Sequence, residues 1–203
     1  MEQQGKTDSI EHLESATLEG KNKILGFWLF LAAETVLFAC LFGTYLALRS
    51  QNLNGPTSQE LFDLTLVAVA TGLLLTSSLT SVLAVNAMNL GKLKGVLFWL
   101  IVTVLLGLGF LILEIYEFVH YTHMGHTFVS SAFGSAFYTL VGTHGAHVLF
   151  GLFWITGLII QIAQRGINKE TSPKVFISTL YWHFIDVVWV FIFTLVYLLG
   201  KVG

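Results

Sequence analysis

The fold is decided by residues 96–120, VLFWLIVTVLLGLGFLILEIYEFVH. No charged side chain occurs in this stretch before Glu114, and an α-helix of about 20 apolar residues is enough to cross the hydrocarbon core of a bilayer. Four further stretches have the same character, at residues 24–48, 64–88, 133–163 and 175–199. We therefore predict an all-α membrane protein with five transmembrane helices. Residues 1–23 form a polar tail, and residues 24–203 form the five-helix bundle.

The composition supports a membrane protein and excludes several other classes. Charged residues make up 11% of the 203 residues, against roughly 25% in an average soluble domain, so a soluble globule could not cover its surface. Disorder requires low hydrophobicity, whereas 55% of this chain is hydrophobic. Nucleic-acid binding is excluded because the 10 basic residues are balanced by 12 acidic ones and form no basic stripe.

The basic residues predict the orientation, because cytoplasmic loops carry an excess of Lys and Arg. With five alternating spans, the basic residues on the side of the N-terminus are Lys6, Lys21, Lys23, Lys92, Lys94, Arg165, Lys169 and Lys174. Only Arg49 and Lys201 fall on the opposite side. We therefore expect the N-terminus, with the polar tail, to lie in the cytoplasm and the C-terminus to lie outside.

Two spans carry residues that influence packing. Small residues let helices approach closely in lipid, and the fourth span is rich in them, including Gly142, Gly145 and Gly151. We expect this helix to be the most enclosed of the five. The second span carries a run of hydroxyl side chains from Thr76 to Ser81. These hydroxyls can bond back to carbonyls of their own helix, so they require no ligand.

The candidate functional residues are acidic and histidine side chains inside the spans: Glu34, Glu114, Glu117, His144, His147, His183 and Asp186. Such groups are costly in hydrocarbon, so they normally face protein or water and find partners. A helical rise of about 1.5 Å per residue predicts two polar layers. One lies at the midplane and comes from spans one, four and five, and the other lies near the outer end of span three. We expect Glu34 to pair with a histidine of its own layer.

Several interpretations of these residues remain open. Glu117 and His120 form an E-x-x-H motif, which is used by di-iron carboxylate bundles, but such bundles need two motifs and two more glutamates. The second interpretation is a haem held by His144 and His183, because both residues lie at a suitable depth in the membrane. The third interpretation is a set of hydrogen-bonded pairs that hold helices in register, with which a proton relay overlaps.

No catalytic residue is predicted. The chain lacks a G-x-S-x-G elbow, a P-loop and a dinucleotide fingerprint, and the single cysteine, Cys40, has no adjacent base. A transporter would be expected to show two related halves with broken helices, and five spans without a repeat argue against one. A stand-alone metal- or haem-binding membrane enzyme is the alternative from another class.

Four motifs resemble subunit III of haem–copper terminal oxidases, and they occur in the order of that family. They are GFWLF with Glu34 (residues 26–34), EIYEF (114–118), GTHGAHV (142–148) and LYWHFIDVVW (180–189). The five-span form resembles the subunit III of Gram-positive cytochrome c oxidases and related quinol oxidases.

This resemblance implies a function. Subunit III holds no redox centre, so we expect no catalytic, cofactor-binding or metal-binding residue in this chain, with haem and copper in partner subunits. We expect the chain to pack against oxidase subunit I, to hold phospholipid, and to support proton uptake during oxygen reduction in the bacterial cell membrane. Glu34 matches the carbodiimide-reactive glutamate of the family.

Overall fold

The computed structural model describes residues 17–51, 64–125 and 127–202. Five long helices account for most of them: α1 (Leu18–Leu48), α2 (Leu64–Asn89), α3 (Leu93–His123), α4 (Ala132–Arg165) and α5 (Ser172–Ile192). A π-helical segment, Phe193–Leu198, continues α5 and leads into a last turn, α6 (Leu199–Val202). All five long helices are long and apolar enough to cross a membrane, so the predicted all-α, five-span architecture is confirmed.

The helices extend beyond the predicted hydrocarbon spans. At the start of α1, the Thr17 hydroxyl accepts a hydrogen bond from the Gly20 amide at 3.0 Å, which satisfies an otherwise free amide. Glu19 and Lys23, one turn apart, form an ion pair at 2.6 Å. These polar residues continue the helix outside the apolar stretch, so α1 begins at Leu18 rather than at residue 24.

A tight turn connects α2 to α3. Gly91 has a φ of 67°, a left-handed conformation that glycine adopts without steric cost, and it lets the chain reverse. Just beyond, a Cβ atom at Gly95 would lie 3.1 Å from Cβ of Ala87, so the two helices start close together. This hairpin fixes the position of α2 against α3.

The most enclosed helix is α5, not α4 as the small residues suggested. The span Ser172–Lys201 has the largest buried share, and α1 has the smallest. The helix α5 packs against α1, α2 and α4 at once, and Trp182 and Trp189 are buried within it. Two glycines of α4, Gly145 and Gly151, have a different effect: they make room for side chains from neighbouring helices.

Candidate functional site

Glu34 on α1 and His147 on α4 form the predicted midplane pair. Oε2 of Glu34 lies 3.2 Å from Nε2 of His147, and both side chains are mostly covered. The other ring nitrogen, Nδ1 of His147, lies 2.7 Å from the carbonyl of Thr143. A carbonyl only accepts, so Nδ1 must carry a hydrogen. The contact between Oε2 and Nε2 is then a hydrogen bond in which one of these two atoms carries the proton.

A double-mutant cycle tests this pair. Replacing Glu34 or His147 alone by alanine should lower the unfolding temperature of the protein, because each single change leaves one polar group unpaired. The double replacement should lower it by less than the sum of the two single replacements. We expect a coupling of about 1 kcal/mol. Thr44→Ala is the matched control, because Thr44 is exposed and its hydroxyl donates back to the Cys40 carbonyl of its own helix. Strict additivity would contradict the pairing.

His183 of α5 contacts a hydroxyl of α2. The Ser78 oxygen lies 2.5 Å from Nδ1 of His183. Asp186, one turn further along α5, is buried, and its Oδ1 has no hydrogen-bond partner among the described residues. The sequence predicts that the two α5 residues share a face, but it does not reveal that the partner of His183 lies on the second span.

Two tryptophans of α5 also donate to α2. Nε1 of Trp182 lies 2.9 Å from the Ser77 hydroxyl, and Nε1 of Trp189 lies 3.0 Å from the Thr71 hydroxyl. The predicted bonds from these hydroxyls back to their own helix are present as well; Ser77, for example, donates to the Leu74 carbonyl. One face of α2 therefore accepts hydrogen bonds from both indole nitrogens of the LYWHFIDVVW segment.

The Trp182 ring is held between two glycines. An added Cβ at Gly107 of α3 would lie 2.8 Å from Cζ2 of Trp182, and one at Gly151 of α4 would lie 2.9 Å from Cζ3. Trp182 is 1% exposed. The indole is thus fixed by three helices at once: α2 through the hydrogen bond to Ser77, and α3 and α4 through close approach.

His144 is fully buried where α4 meets α5. Its Nε2 donates to the carbonyl of Ile185 at 3.3 Å, and its ring lies against Phe110 and Trp189, with centroids 5.8 Å and 5.2 Å away. His144 does not take part in the Glu34 pair. Its hydrogen bond to Ile185 joins α4 to α5, in the turn of α5 that contains His183 and Asp186.

Glu114 corrects the prediction of two separate layers. An added Cβ at Gly145 of α4 would lie 2.9 Å from both carboxylate oxygens of Glu114, so this side chain of α3 reaches the level of His144. The missing side chain at Gly145 provides the space for it. Glu114 is 3% exposed, and neither oxygen has a hydrogen-bond partner among the described residues.

Glu117, one turn along α3, has different surroundings. Tyr121 donates a hydrogen bond to its Oε1, and Tyr197 donates to its Oε2 at 2.9 Å. Tyr197 lies in the π-helical segment, and its side chain is fully buried. A π turn is wider than an α turn and is frequent at functional sites; here it presents the tyrosine to α3. Neither tyrosine was among the predicted residues.

The E-x-x-H interpretation does not fit this geometry. Glu117 is buried between tyrosines, whereas His120 is exposed and stacks on Tyr116 at a centroid distance of 6.4 Å, so the E-x-x-H members face different surroundings. His144 and His183 each contact a protein atom through one ring nitrogen. Within residues 17–51, 64–125 and 127–202, no group of three or more His, Cys, Asp or Glu is placed to hold a metal ion.

The fold and the polar network define a class: a multi-pass membrane protein in which buried polar side chains connect helices to one another. Comparison with known proteins identifies the family. The family model of cytochrome c oxidase subunit III matches residues 11–201, and this chain belongs to that family. It is a subunit of a terminal oxidase in the bacterial cell membrane.

Relatives are similar over nearly their whole length. The chain is 65% identical to cytochrome c oxidase subunit 3 of Bacillus subtilis (strain 168) over 194 residues, which cover 94% of this chain and 92% of the relative. It is 52% identical to quinol oxidase subunit 3 of the same organism over 203 residues, all of both chains. With the probable quinol oxidase subunit 3 of Staphylococcus aureus (strain USA300) it shares 48% identity, covering 94% of this chain and 95% of the relative.

Proposed function

We propose that this chain is a non-catalytic subunit that stabilises oxidase subunit I and sustains its turnover, while haem and copper reside in partner subunits. The observation that carries the proposal is the engagement of its intramembrane histidines within the chain: His147 with Glu34 at 3.2 Å, His144 with the Ile185 carbonyl, and His183 with Ser78. Each of these contacts joins two helices, so the three histidines position helices of the bundle. The surface outside these contacts is rich in exposed apolar side chains, which suits contact with lipid and with other membrane subunits.

Removal of the chain tests the proposal. The oxidase that lacks it should keep its haem absorbance and its copper, but it should lose activity faster during sustained turnover than the intact complex. The chain purified alone should show no haem absorbance and no stoichiometric metal. Loss of haem in proportion to the missing chain, or a haem spectrum of the isolated chain, would favour the stand-alone metal- or haem-binding enzyme.

Support of proton uptake is the second part of the proposal, and Glu34 is its candidate residue. The proton of the Glu34–His147 hydrogen bond lies inside the membrane, next to a groove formed by Phe30, Phe150 and Tyr181. Substitution of Glu34 by glutamine keeps the size of the side chain but removes its ability to ionise. The variant oxidase should keep its haem spectrum while its activity decays faster in turnover.

The orientation is also part of the proposal: a cytoplasmic tail over residues 1–23, and a C-terminus outside the cell. In a Cys40→Ser background, a cysteine introduced at Lys169, between α4 and α5, should react with a membrane-impermeant maleimide only after the cells are opened. A cysteine introduced at Thr127, between α3 and α4, should react in intact cells. The reverse pattern would overturn the predicted orientation.

A further inference from the structure

A groove runs between α1 and α5 on the outer face of the bundle. We call it the α1–α5 groove. It has a volume of about 410 Å³, and its walls include Trp28, Ala32, Thr35, Leu180, His183 and Val187. These residues recur at three- and four-residue intervals along the two helices, so each wall is a helix stripe about two turns long. The groove has room for side chains of another helix lying along it.

The α1–α5 groove is lined by the polar ring of His183, and only one of its two nitrogens has a hydrogen-bond partner among the described residues. His183 is half-buried, and its Nδ1 is bonded to Ser78. The two nitrogens of an imidazole point in widely different directions, so Nε2 does not face the Ser78 hydroxyl. His183 lines the α1–α5 groove and also a smaller groove beside Val82 and Val85 of α2. No described residue of this chain forms a hydrogen bond with Nε2.

The depth of His183 restricts what can satisfy this nitrogen. His183 lies eight residues after residue 175, where the predicted hydrocarbon span begins, which corresponds to about 12 Å of helix and so to the interior of the bilayer core. Polar lipid headgroups lie at the surface of the membrane, and acyl chains have no donor or acceptor. A polar nitrogen exposed to hydrocarbon is costly. A hydrogen-bond partner at this depth comes from protein or from water that protein encloses, and only a protein partner would also close the groove.

The geometry points to the α1–α5 groove as the docking site for a transmembrane helix of another oxidase subunit, which bonds His183 Nε2 through a polar side chain at mid-membrane depth. The partner residue is a hydroxyl or amide side chain. Nδ1 can donate to the Ser78 hydroxyl or accept from it, so Nε2 can act as acceptor or as donor, and such side chains can do both. This inference rests on the proposed function, because it assigns one face of the chain to the contact with the rest of the oxidase.

Photo-crosslinking in the intact complex tests the location. A benzophenone amino acid replaces Val187, which lies in the groove and is 54% exposed. The control replaces Phe153 of α4, which is 71% exposed and lies outside the groove. Light should join the chain to a second oxidase polypeptide from position 187 and not from position 153. Lipid-sized adducts alone at 187, or equal crosslinking at both positions, would overturn the inference.

Substitution of His183 tests the hydrogen bond. An asparagine places its amide near the position of Nδ1, so His183→Asn can keep the contact with Ser78 while it removes Nε2. We expect partner subunits to dissociate roughly three- to tenfold faster in detergent, as the loss of one hydrogen bond predicts. Val190→Ala, at an exposed position of α5 that does not line the groove, should leave dissociation unchanged. Equal dissociation of wild type and His183→Asn would refute the bond.

The two proposals fail in different ways. If the tagged wild-type chain retains haem-bearing partners but position 187 does not crosslink to a polypeptide, the subunit function stands and the docking face is wrong. If the wild-type chain retains no haem-bearing partner, the proposed function itself fails.

Discussion

Replacement of Gly151 by alanine should lower the stability of the protein by about 1–3 kcal/mol, the usual cost of overpacking a tight core. The new Cβ would lie 2.9 Å from Trp182 and 3.1 Å from Tyr181. The Trp182 ring cannot move away, because Gly107 borders it from α3 and Ser77 holds its nitrogen. For a chain of this size, the change corresponds to a fall in unfolding temperature of about 2–10 °C, measured on the purified complex in detergent.

The same helix offers a matched control. At Gly157 an added Cβ meets nothing within 4 Å, and alanine is the better helix former, so Gly157→Ala should leave the unfolding temperature unchanged or slightly higher. Gly107→Ala should resemble Gly151→Ala, because its Cβ would contact the other edge of the same indole. Equal effects at positions 151 and 157 would show that Trp182 is not clamped.

The two glutamates of α3 should respond in opposite ways to the same substitution. Glu117→Leu removes the acceptor of two buried phenols, Tyr121 and Tyr197, and stranded buried donors are costly. We expect a loss of roughly 2–5 kcal/mol. Glu114→Leu removes a carboxyl group whose oxygens have no partner among the described residues. We expect this change to be nearly neutral or stabilising, because an apolar side chain of similar volume needs no hydrogen bond.

Each glutamate variant serves as the control of the other, since both residues lie on α3, one turn apart, and both are almost completely buried. The measurement is the unfolding temperature of the complex in detergent. A large loss for Glu114→Leu would mean that its carboxyl group has a partner outside this chain's described residues. A neutral Glu117→Leu would mean that the tyrosine bonds contribute little.

The sequence predicts the spans well because hydrocarbon length and charge exclusion act locally along the chain. It also predicts which residues share a helix face, as with His183 and Asp186. It does not predict which helices are neighbours, since that depends on packing of the whole bundle. From sequence alone, the hydroxyls of α2 are therefore expected to bond only within their own helix, although Ser78 contacts His183 of α5.

The sequence predicts the wrong depth for the carboxyl group of Glu114 for a related reason. Counting residues gives the height of the backbone, but a long side chain can reach another level where a neighbouring helix leaves room, as α4 does at Gly145. The same glycine had suggested only close approach of two backbones. A glycine on one helix that faces a buried tryptophan or glutamate on a neighbouring helix is the feature that could have predicted these contacts.

The π-helical segment also has a consequence for the evolution of the chain. A π turn accommodates one residue more than an α turn. Deletion of a single residue within Phe193–Leu198 would therefore restore an ordinary helix and leave the residues after it close to their present faces. The same deletion in an α-helical stretch rotates everything after it by about 100°, the angle per residue at 3.6 residues per turn. Single-residue deletions should therefore be better tolerated in this short segment than earlier in α5.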